Sequence, residues 1–464
     1  MWSPLYWRRA VVLVKMESSY GVESQPDAAL HAILTSEPKI EIITDEVERS
    51  YLTQNIFSLA PEHVGMCLEA SFDSEVRESL NPGVAPDCGP LLRIGAMKQT
   101  ITPGVVTKYT ELSKGHESAT CYVWMDTLLH KLTGCRGMWS AKWDKGQFGI
   151  WSWKIQGVYA GRVSQDMPAT VAYDPVLPQK VIGAYLRVTP EIQWISGAEN
   201  IVTEGLGTIA TTTNDAFASV KAGSYVWANN LKRRVESKTD SNTIVLAEAV
   251  NWDNDNLGYP FRYESGWVQG ARNAVTVDSG TTVTTTDNAF ANVLPGASIF
   301  ANGTIRKVAS KTSSNSLELE EAVNWDNNDA GYPFTFKNPT DFTPTISSLK
   351  LEMGNKLFRR PDLTAPDGIL GIEIDGGTIK WSFDPEVPAI TDHDFWDDFR
   401  NRIAHTIDFG YGAGVGANRK IAVKVNRAIN GKPGYGKRGP MLTHQLEGVA
   451  EPQTIDDAIE IAFY

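Results

Sequence analysis

Residues 200–261 and 273–334 of this chain are two copies of one segment. They align at a constant offset of 73 residues without a gap, and 34 of the 62 aligned positions are identical. Chance similarity does not reach this level, so a whole structural unit has been duplicated. The fold must therefore contain the same small unit twice.

Each copy has the pattern of several short strands. A Thr-rich stretch, IATTT or TVTTT, leads to AFASV or AFANV, and then to a glycine, Gly223 or Gly296. A hydrophobic stretch and the motif NWDNDNLGYPF or NWDNNDAGYPF close the copy. Several short strands in about seventy residues predict a small β-barrel or β-sandwich.

The sequence on either side of the duplication is not repeated, which indicates one domain interrupted by two tandem insertions. Insertions are tolerated at exposed loops, so we expect residues 195–197 and 338–342 to lie close together in space. The predicted host domain comprises residues 1–196 and 339–464, and the predicted inserted modules are residues 197–266 and 267–338.

The flanking sequence also has mainly the pattern of strands. Residues 39–44, 66–72, 150–155 and 421–425 alternate in polarity or form short apolar runs bounded by turn residues. In the third of these, the tryptophans of Trp-Ser-Trp are expected to be buried between sheets. The predicted fold class is mainly β, or α+β.

Two helices are predicted in the flanking sequence. Residues 87–97 begin with an aspartate and carry a proline in the first turn. Residues 391–405 begin with a threonine and acidic residues, which suit a helix N-terminus. In this second helix Phe395, Phe399 and Ile403 are four residues apart and predict an apolar stripe.

Composition argues against several functional classes. The 464 residues include 43 basic and 55 acidic side chains, a net charge of −12, whereas a protein that grips nucleic acid needs clustered Lys and Arg. The four cysteines contain no C-x-x-C pair, which indicates neither a zinc site nor a dense disulfide framework. No stretch approaches the apolar length of a transmembrane helix, so we expect no membrane insertion.

Two glycine-rich segments come close to nucleotide-binding motifs. Residues 431–438, GKPGYGKR, nearly match the phosphate-binding loop, but Arg438 stands where the magnesium-binding hydroxyl belongs, so a flexible basic loop is favoured. Residues 412–417, GAGVGA, fit the loose dinucleotide motif, but a strand pattern follows them instead of a helix. A connection between strands is favoured there, and we expect no cofactor.

An acidic cluster at the start of the second predicted helix suits either a metal site or an acid–base pair. Acidic residues at a helix start also cap the helix and compensate its dipole, and this interpretation is favoured. No Ser–His or Cys–His arrangement is apparent. We therefore predict no catalytic residue, no metal and no enzymatic activity. The cluster comprises Asp392, His393, Asp394, Asp397 and Asp398.

The repeated NWDN motif does not fit a calcium loop. An EF-hand-like loop needs an oxygen ligand at position 5 and a glutamate at position 12, but position 5 is Leu257 or Ala330, and Lys337 takes the place of Glu264 at position 12. Both copies retain turn residues followed by an aromatic strand, which predicts a closing turn. Its aromatic residues are candidate surface ligand contacts: Trp252, Tyr259, Trp325 and Tyr332.

Four segments of the flanking sequence, taken in chain order, carry a family resemblance. They are VVLVKMESSYGVESQP (11–26), FDSEVRESLNPGVAPDCGPLLRIGAM (72–97), SATCYVWMDTLLHKLTGCRGMW with FGIWSWKIQGVYAG (within 118–161), and ISSLKLEMGNKLFRRPDL (346–363). Together they resemble the tail tube, or major tail, proteins of long-tailed bacteriophages with non-contractile tails. The duplicated insertion is a departure from that family's basic pattern.

The resemblance implies a structural virion protein with a β-sandwich or barrel and a flanking helix. Its copies would form hexameric rings that stack into the tail tube, with other tail proteins at the tube ends. Genome DNA would pass through the lumen during ejection, and lumen carboxylates would repel its phosphates. The expected location is the virion tail, assembled in the host bacterial cytoplasm. The inserted modules would face outward, where host-surface glycans are the ligand class to test.

Residues 45–63 are the candidate for a loop that contacts neighbouring rings. Its apolar anchors would be Tyr51, Ile56, Phe57 and Leu59, and the alternative is a surface hairpin with its own small cluster. The rival function is of another class: a carbohydrate- or cell-surface-binding β protein, such as an adhesin or a receptor-binding tail component.

Overall fold

The computed structural model describes residues 5–6, 8–49, 51, 59–191, 194–338, 341–365, 368–390, 393–412 and 420–464. Strands make up 57% of it and helices 3%, which confirms the prediction of a mainly β fold. The chain divides into two compact units: a host unit, Met1–Glu191 with Phe342–Tyr464, and an inserted unit, Ile192–Asp341. In the part of the chain described, no helix is long and apolar enough to cross a membrane.

The described part of the host unit contains strands on both sides of the insertion and two short helices. Before the insertion come β1 (Ala10–Met16), β2 (Ala32–Ile33), β3 (Lys39–Val47), β4 (Glu62–Glu75), α1 (Gly89–Ile94), β5 (Met97–Thr102), β6 (Val106–Glu111), β7 (Ala119–Met125), β8 (Leu128–Asp144), β9 (Ile150–Ser164) and β10 (Tyr185–Pro190). The inserted unit contains β11 (Trp194–Thr203), β12 (Leu206–Thr211), β13 (Tyr225–Ala228), β14 (Leu231–Lys238), β15 (Thr243–Asn251), β16 (Tyr259–Glu264), β17 (Val268–Thr276), β18 (Ser279–Thr284), β19 (Ser298–Ala301), β20 (Thr304–Ser313), β21 (Ser316–Asn324) and β22 (Tyr332–Lys337). After it come β23 (Ser348–Pro361), β24 (Ile369–Phe383), α2 (Phe395–Asn401), β25 (Ala404–Tyr411), β26 (Ile421–Asn430), β27 (Gly434–Arg438), β28 (Met441–Ala450) and β29 (Ile459–Phe463).

Strand β8 is central to the pairing of the host unit. It pairs with β9 along most of its length, with β7 through its first half and with β23 through its second half. From β9 the sheet continues to β4 and, in the described part of the chain, has β3 at its edge. From β23 it continues through β24 and β28 to β26, which pairs with both β25 and β29. Strand β25 then pairs with β10, and β29 leads through β6 to β5.

Tryptophans fill the centre of the host core. The rings of Trp139 and Trp151 meet edge to face with centroids 5.3 Å apart, and Trp143 lies 6.1 Å from Trp151. In β9, Trp151 and Trp153 are buried and Ser152 between them is exposed, as the alternation predicts. These indoles therefore pack in the core and are not available to stack on sugars.

Both predicted helices are shorter than expected. Helix α1 spans only Gly89–Ile94, and Met97 already begins β5. Helix α2 ends where Arg402 adopts a left-handed conformation, with φ 51°, and the chain then enters β25. The apolar stripe of the second helix is wrong, because Phe395 is buried but Phe399 is 41% exposed.

The inserted unit consists of two closed six-stranded barrels with the same strand order. The first is β11-β12-β15-β14-β13-β16 and the second is β17-β18-β21-β20-β19-β22. Their strands span Trp194–Glu264 and Val268–Lys337. The predicted bounds of the two modules are 197–266 and 267–338, which differ from these by at most three residues. Equivalent residues fill the two cores, as with Phe217 and Phe290.

The two ends of the host chain meet where the inserted unit departs. The Val188 amide donates to the Phe342 carbonyl at 2.7 Å, and the Phe342 amide donates to the Val188 carbonyl at 2.8 Å. The predicted meeting point was residues 195–197 with 338–342. Residues 195–197 belong to β11, where Ile195 pairs with Tyr263 in the first barrel, so the pair that joins the host ends lies before this predicted range.

Candidate functional site

The NWDN motif forms a tight turn in both barrels. The backbone amide of Trp252 donates to Thr203 Oγ1 at 2.8 Å, and that of Trp325 donates to Thr276 Oγ1 at 2.8 Å. The carboxylate of Asp253 accepts from the Asn256 amide inside the turn. The Asp253 carboxylate, which stands at position 1 of the calcium-loop alignment, is therefore engaged in a turn hydrogen bond.

The aromatic residues of the motif do not form a surface platform. Trp252 and Trp325 are fully buried, so the prediction that these two contact a surface ligand is wrong. Tyr259 and Tyr332 are half-buried and pack against the cores of their barrels. A closing turn followed by a core-packed strand accounts for all four side chains.

The two ends of the predicted ring-contact loop, residues 45–47 and 62–63, lie in the paired strands β3 and β4. Of its predicted anchors, Tyr51 is 73% exposed and Leu59 is 36% exposed, while Ile56 and Phe57 lie outside the described residues. Strand β4 pairs with β9 only from Cys67 onward, so its first residues pair with β3 alone. The hairpin thus extends beyond the sheet that carries it.

On one face of the β3–β4 hairpin, a row of apolar side chains extends from the host core to the exposed edge of the sheet. Ile40 pairs with Ala70 and Ile42 pairs with Leu68, and cross-strand partners lie on the same face of a sheet. Ala70 and Leu68 are buried in the core, and Ile40 is partly buried against it. Ile42 is the next residue on this face, and it is 63% exposed. The apolar row therefore runs out of the core into solvent.

The opposite face of the hairpin is fixed to a second long hairpin, β23–β24. Ile43 and Cys67 pack there with Ile369 and Ile372 in a separate small cluster. Arg359 donates to Asp45 Oδ1 at 2.7 Å across the same contact. These contacts hold the base of the β3–β4 hairpin in place.

Strand β3 is an edge strand. Among the described residues its ladder has one partner, β4, over nearly its whole length. Strand β5, likewise, pairs with β6 alone in that part of the chain. Edge strands present unpaired N–H and C=O groups, which can pair with another chain. The row that ends at Ile42 and the free edge of β3 lie on the same element.

The basic segment near the C-terminus is a strand, and the prediction of a flexible loop is wrong. Residues Gly434–Arg438 form β27, which pairs with β28. The Arg438 guanidinium lies 2.6 Å from Glu386 and 3.3 Å from Asp384, which holds it as a structural ion pair. The glycine-rich motif at 412–417 lies outside the described residues from position 413 onward.

The acidic cluster divides into capping and buried residues. Asp394 is the N-cap of α2, since its Oδ1 accepts from the amides of Trp396 at 2.9 Å and Asp397 at 3.2 Å, as the capping interpretation predicts. Asp392 lies outside the described residues. Asp398, by contrast, points inward and is buried.

Asp398 lies between two histidines. His393 Nε2 is 2.8 Å and His405 Nε2 is 3.0 Å from Asp398 Oδ2. Burial by itself would raise the pKa of the Asp398 carboxyl, but the two histidine rings beside it outweigh burial and lower this pKa below its usual value. The sequence prediction included His393 and Asp398 but missed His405, which lies on β25.

Comparison with models of known protein families finds no match to this chain, and comparison with curated protein sequences finds none either.

Proposed function

We propose that this chain is a self-assembling structural subunit, a tail tube protein of the non-contractile phage type, whose copies join through the β3–β4 hairpin. The observation that carries the proposal is the apolar row of the host core, which runs from Ala70 and Leu68 to the exposed Ile42 at a free strand edge. A neighbouring copy that covers this edge would complete both the core and the ladder.

The energetic gain from this contact is repeated at every subunit junction. Full burial of one isoleucine side chain contributes about 1.5–3 kcal/mol, and the unpaired backbone groups of β3 would gain partners as well. In a closed ring each subunit makes the same contact, so a modest local gain is multiplied around the ring. The hexameric ring, the stacking of rings and the passage of DNA follow from the family resemblance and are part of the proposal.

The carbohydrate-binding alternative has less support. Of its four predicted aromatic contacts, Trp252 and Trp325 have fully buried indoles. Tyr259 and Tyr332 are half-buried and pack against the cores of their barrels. The exterior position of the inserted barrels follows from the family resemblance and is part of the proposal, and we assign these barrels no ligand.

The test is assembly of the purified full-length chain, followed by size-exclusion chromatography with light scattering and by negative-stain electron microscopy. We expect rings or tubes with a central lumen. Ile42→Asp should shift the population to monomers, because a carboxylate would be buried in the new contact. The control is Ile209→Asp on the first barrel, where the isoleucine is similarly exposed, at 57%; this variant should assemble like the wild type.

Two results would contradict the proposal. One is a wild-type chain that stays monomeric at every concentration while it binds glycans. The other is an Ile42→Asp variant that assembles as well as the wild type.

A further inference from the structure

Three side chains around α2 bring potential metal ligands to one point. They are His393, just before the helix, Asp398 within it, and His405 on the strand that follows. Their nearest ligand atoms all lie within 4.8 Å of one another. Two imidazole nitrogens and a carboxylate oxygen form a donor set typical of zinc and similar divalent transition metals.

These ligand atoms are buried, and the contacts among them are short but poorly aligned. The side chains of His393 and Asp398 are each 8% exposed, and that of His405 is 1% exposed. Asp398 Oδ2 is within ion-pair distance of both imidazoles, but among the described residues none of the atoms His393 Nε2, Asp398 Oδ2 and His405 Nε2 has a partner in good hydrogen-bond geometry. Burial of polar atoms without partners costs free energy, which an ion at their centre would recover.

The aromatic surroundings favour a structural site over a catalytic one. The Phe342 ring stacks on His393 with centroids 4.8 Å apart and an interplanar angle of 5°, and Phe395 packs against the same imidazole edge to face at 4.4 Å. These rings fix the His393 imidazole and cover it with apolar surface. A bound ion would thus be shielded from large substrates.

We propose that His393, Asp398 and His405 bind one divalent transition-metal ion of the zinc class. Zinc–nitrogen and zinc–oxygen bonds are about 2.0–2.2 Å long, so two ligands of one ion lie roughly 3 Å or slightly more apart. The two separations from Asp398 Oδ2, 2.8 and 3.0 Å, need a small expansion, whereas the two histidines, whose ligand atoms lie within 4.8 Å of each other, would have to move closer together. Water would complete the coordination.

The ion would connect three consecutive segments of the host unit. Helix α2 has only seven residues, and helices of this length are marginal without tertiary contacts. A metal held by Asp398 of α2, His405 of β25 and His393 before the helix would secure the helix against the strand. The proposal is independent of tube assembly, because the site lies within one copy of the chain.

The test uses the full-length chain after removal of metal by EDTA. Titration with Zn²⁺ should show about one ion bound per chain and a rise in the Tm of the host unit. Titration with Co²⁺ should produce visible absorption bands from an imidazole-ligated ion. His405→Gln should weaken Zn²⁺ binding by at least ~10-fold, because loss of outer-shell partners alone weakens metal affinity by about 10- to 100-fold.

Two further variants make the outcome decisive. His393→Gln removes a ligand at the rim of the cluster, which guards against misfolding of the His405 variant, and circular dichroism checks the fold. His116→Gln removes a histidine elsewhere in the host unit, whose Nε2 lies 2.8 Å from the Leu112 carbonyl, and should leave Zn²⁺ binding unchanged. A wild-type chain that binds neither metal, or ligand variants that bind Zn²⁺ as tightly as the wild type, would overturn the proposal.

Discussion

At the scale of single residues, several polar groups of the host unit are buried at a cost. Asp87, just before α1, is partly buried and has a consequence for pH. Burial raises the pKa of its carboxyl from 3.8 to about 6, against the lowering effect of Arg77. The folded state therefore binds a proton more tightly than the unfolded state does. Stability contributed by this group is greatest below pH 3.8 and is lost as the pH rises toward about 6.

Asp87→Asn should stabilise the protein at neutral pH, because the amide carries no charge to bury. The pKa difference corresponds to at most ~3 kcal/mol of unfolding free energy at pH 7, and the gain should be clearly smaller at pH 5. Urea unfolding at the two pH values measures it. Asp166→Asn, at an exposed position, is the control and should change stability by less than ~0.5 kcal/mol. An equal gain at both pH values would contradict this account.

The repeat shows what the sequence can and cannot reveal about individual residues. Thr203 and Trp252 recur as Thr276 and Trp325 at the same offset, and the two pairs make the same 2.8 Å hydrogen bond. Because both the threonine and the tryptophan recur in the second copy, the sequence alone could have indicated that these two residues are in contact. It could not indicate that the indoles are buried, because exposed and buried tryptophans recur equally well in a duplication.

At the scale of elements, the inserted unit contains a contact between the two barrels that breaks the symmetry of the repeat. Glu264 and Lys337 occupy equivalent positions at the ends of β16 and β22, and their side chains pair with each other at 2.6 Å. Trp267 Nε1 also donates to Glu264 at 3.2 Å, and Thr335 Oγ1 donates to the Ala222 carbonyl at 2.6 Å. The charge difference that argued against a calcium loop thus has a structural role.

Lys337→Met should loosen the contact between the barrels, because it leaves the buried Glu264 carboxylate without its cation. The expected loss lies between the less than ~1 kcal/mol of an exposed ion pair and the ~3–5 kcal/mol of a fully buried one. Arg272→Met is the matched control, since its partner Asp287 and the arginine itself are both more than half exposed. Hydrogen exchange should quicken in residues 221–224 and 335–337 for the lysine variant only. Unchanged exchange would show that the ion pair contributes little.

The end of α2 illustrates why the site was only partly predictable. Helices commonly end at a glycine or asparagine in the left-handed conformation, but here that position is Arg402. The sequence therefore contains no signal for the C-terminal end of α2, and the predicted helix, residues 391–405, included His405. His405 instead lies in β25, where pairing with β10 and β26 fixes it beside Asp398. Such long-range pairing cannot be deduced from local patterns.

At the scale of the whole molecule, the duplication was the most informative feature of the sequence. A constant offset with no gap requires equivalent strands in both copies, and β13 and β19 begin at Tyr225 and Ser298, 73 residues apart. The duplication also indicated that the host domain is interrupted, because the sequence on either side of the two copies is not repeated. The pairing order of the host strands could not be predicted from the sequence, because it depends on contacts between residues far apart in the chain.

The adjacent ends of the host chain lead to the last prediction. Because Val188 and Phe342 already pair across the entry point, a short Gly-Asn-Gly turn between Glu191 and Phe342 can replace residues 192–341. We expect the shortened chain to fold, since the large core is formed by host residues alone.

The shortened chain should also assemble into the same rings or tubes as the full-length protein in electron microscopy, with a smaller outer diameter and an unchanged lumen. Ile42→Asp in the shortened chain should again give monomers, because the proposed contact lies entirely in the host unit. If the shortened chain folds but remains monomeric while the full-length chain assembles, the assembly surface lies on the inserted barrels instead. That result would reject the role assigned to β3.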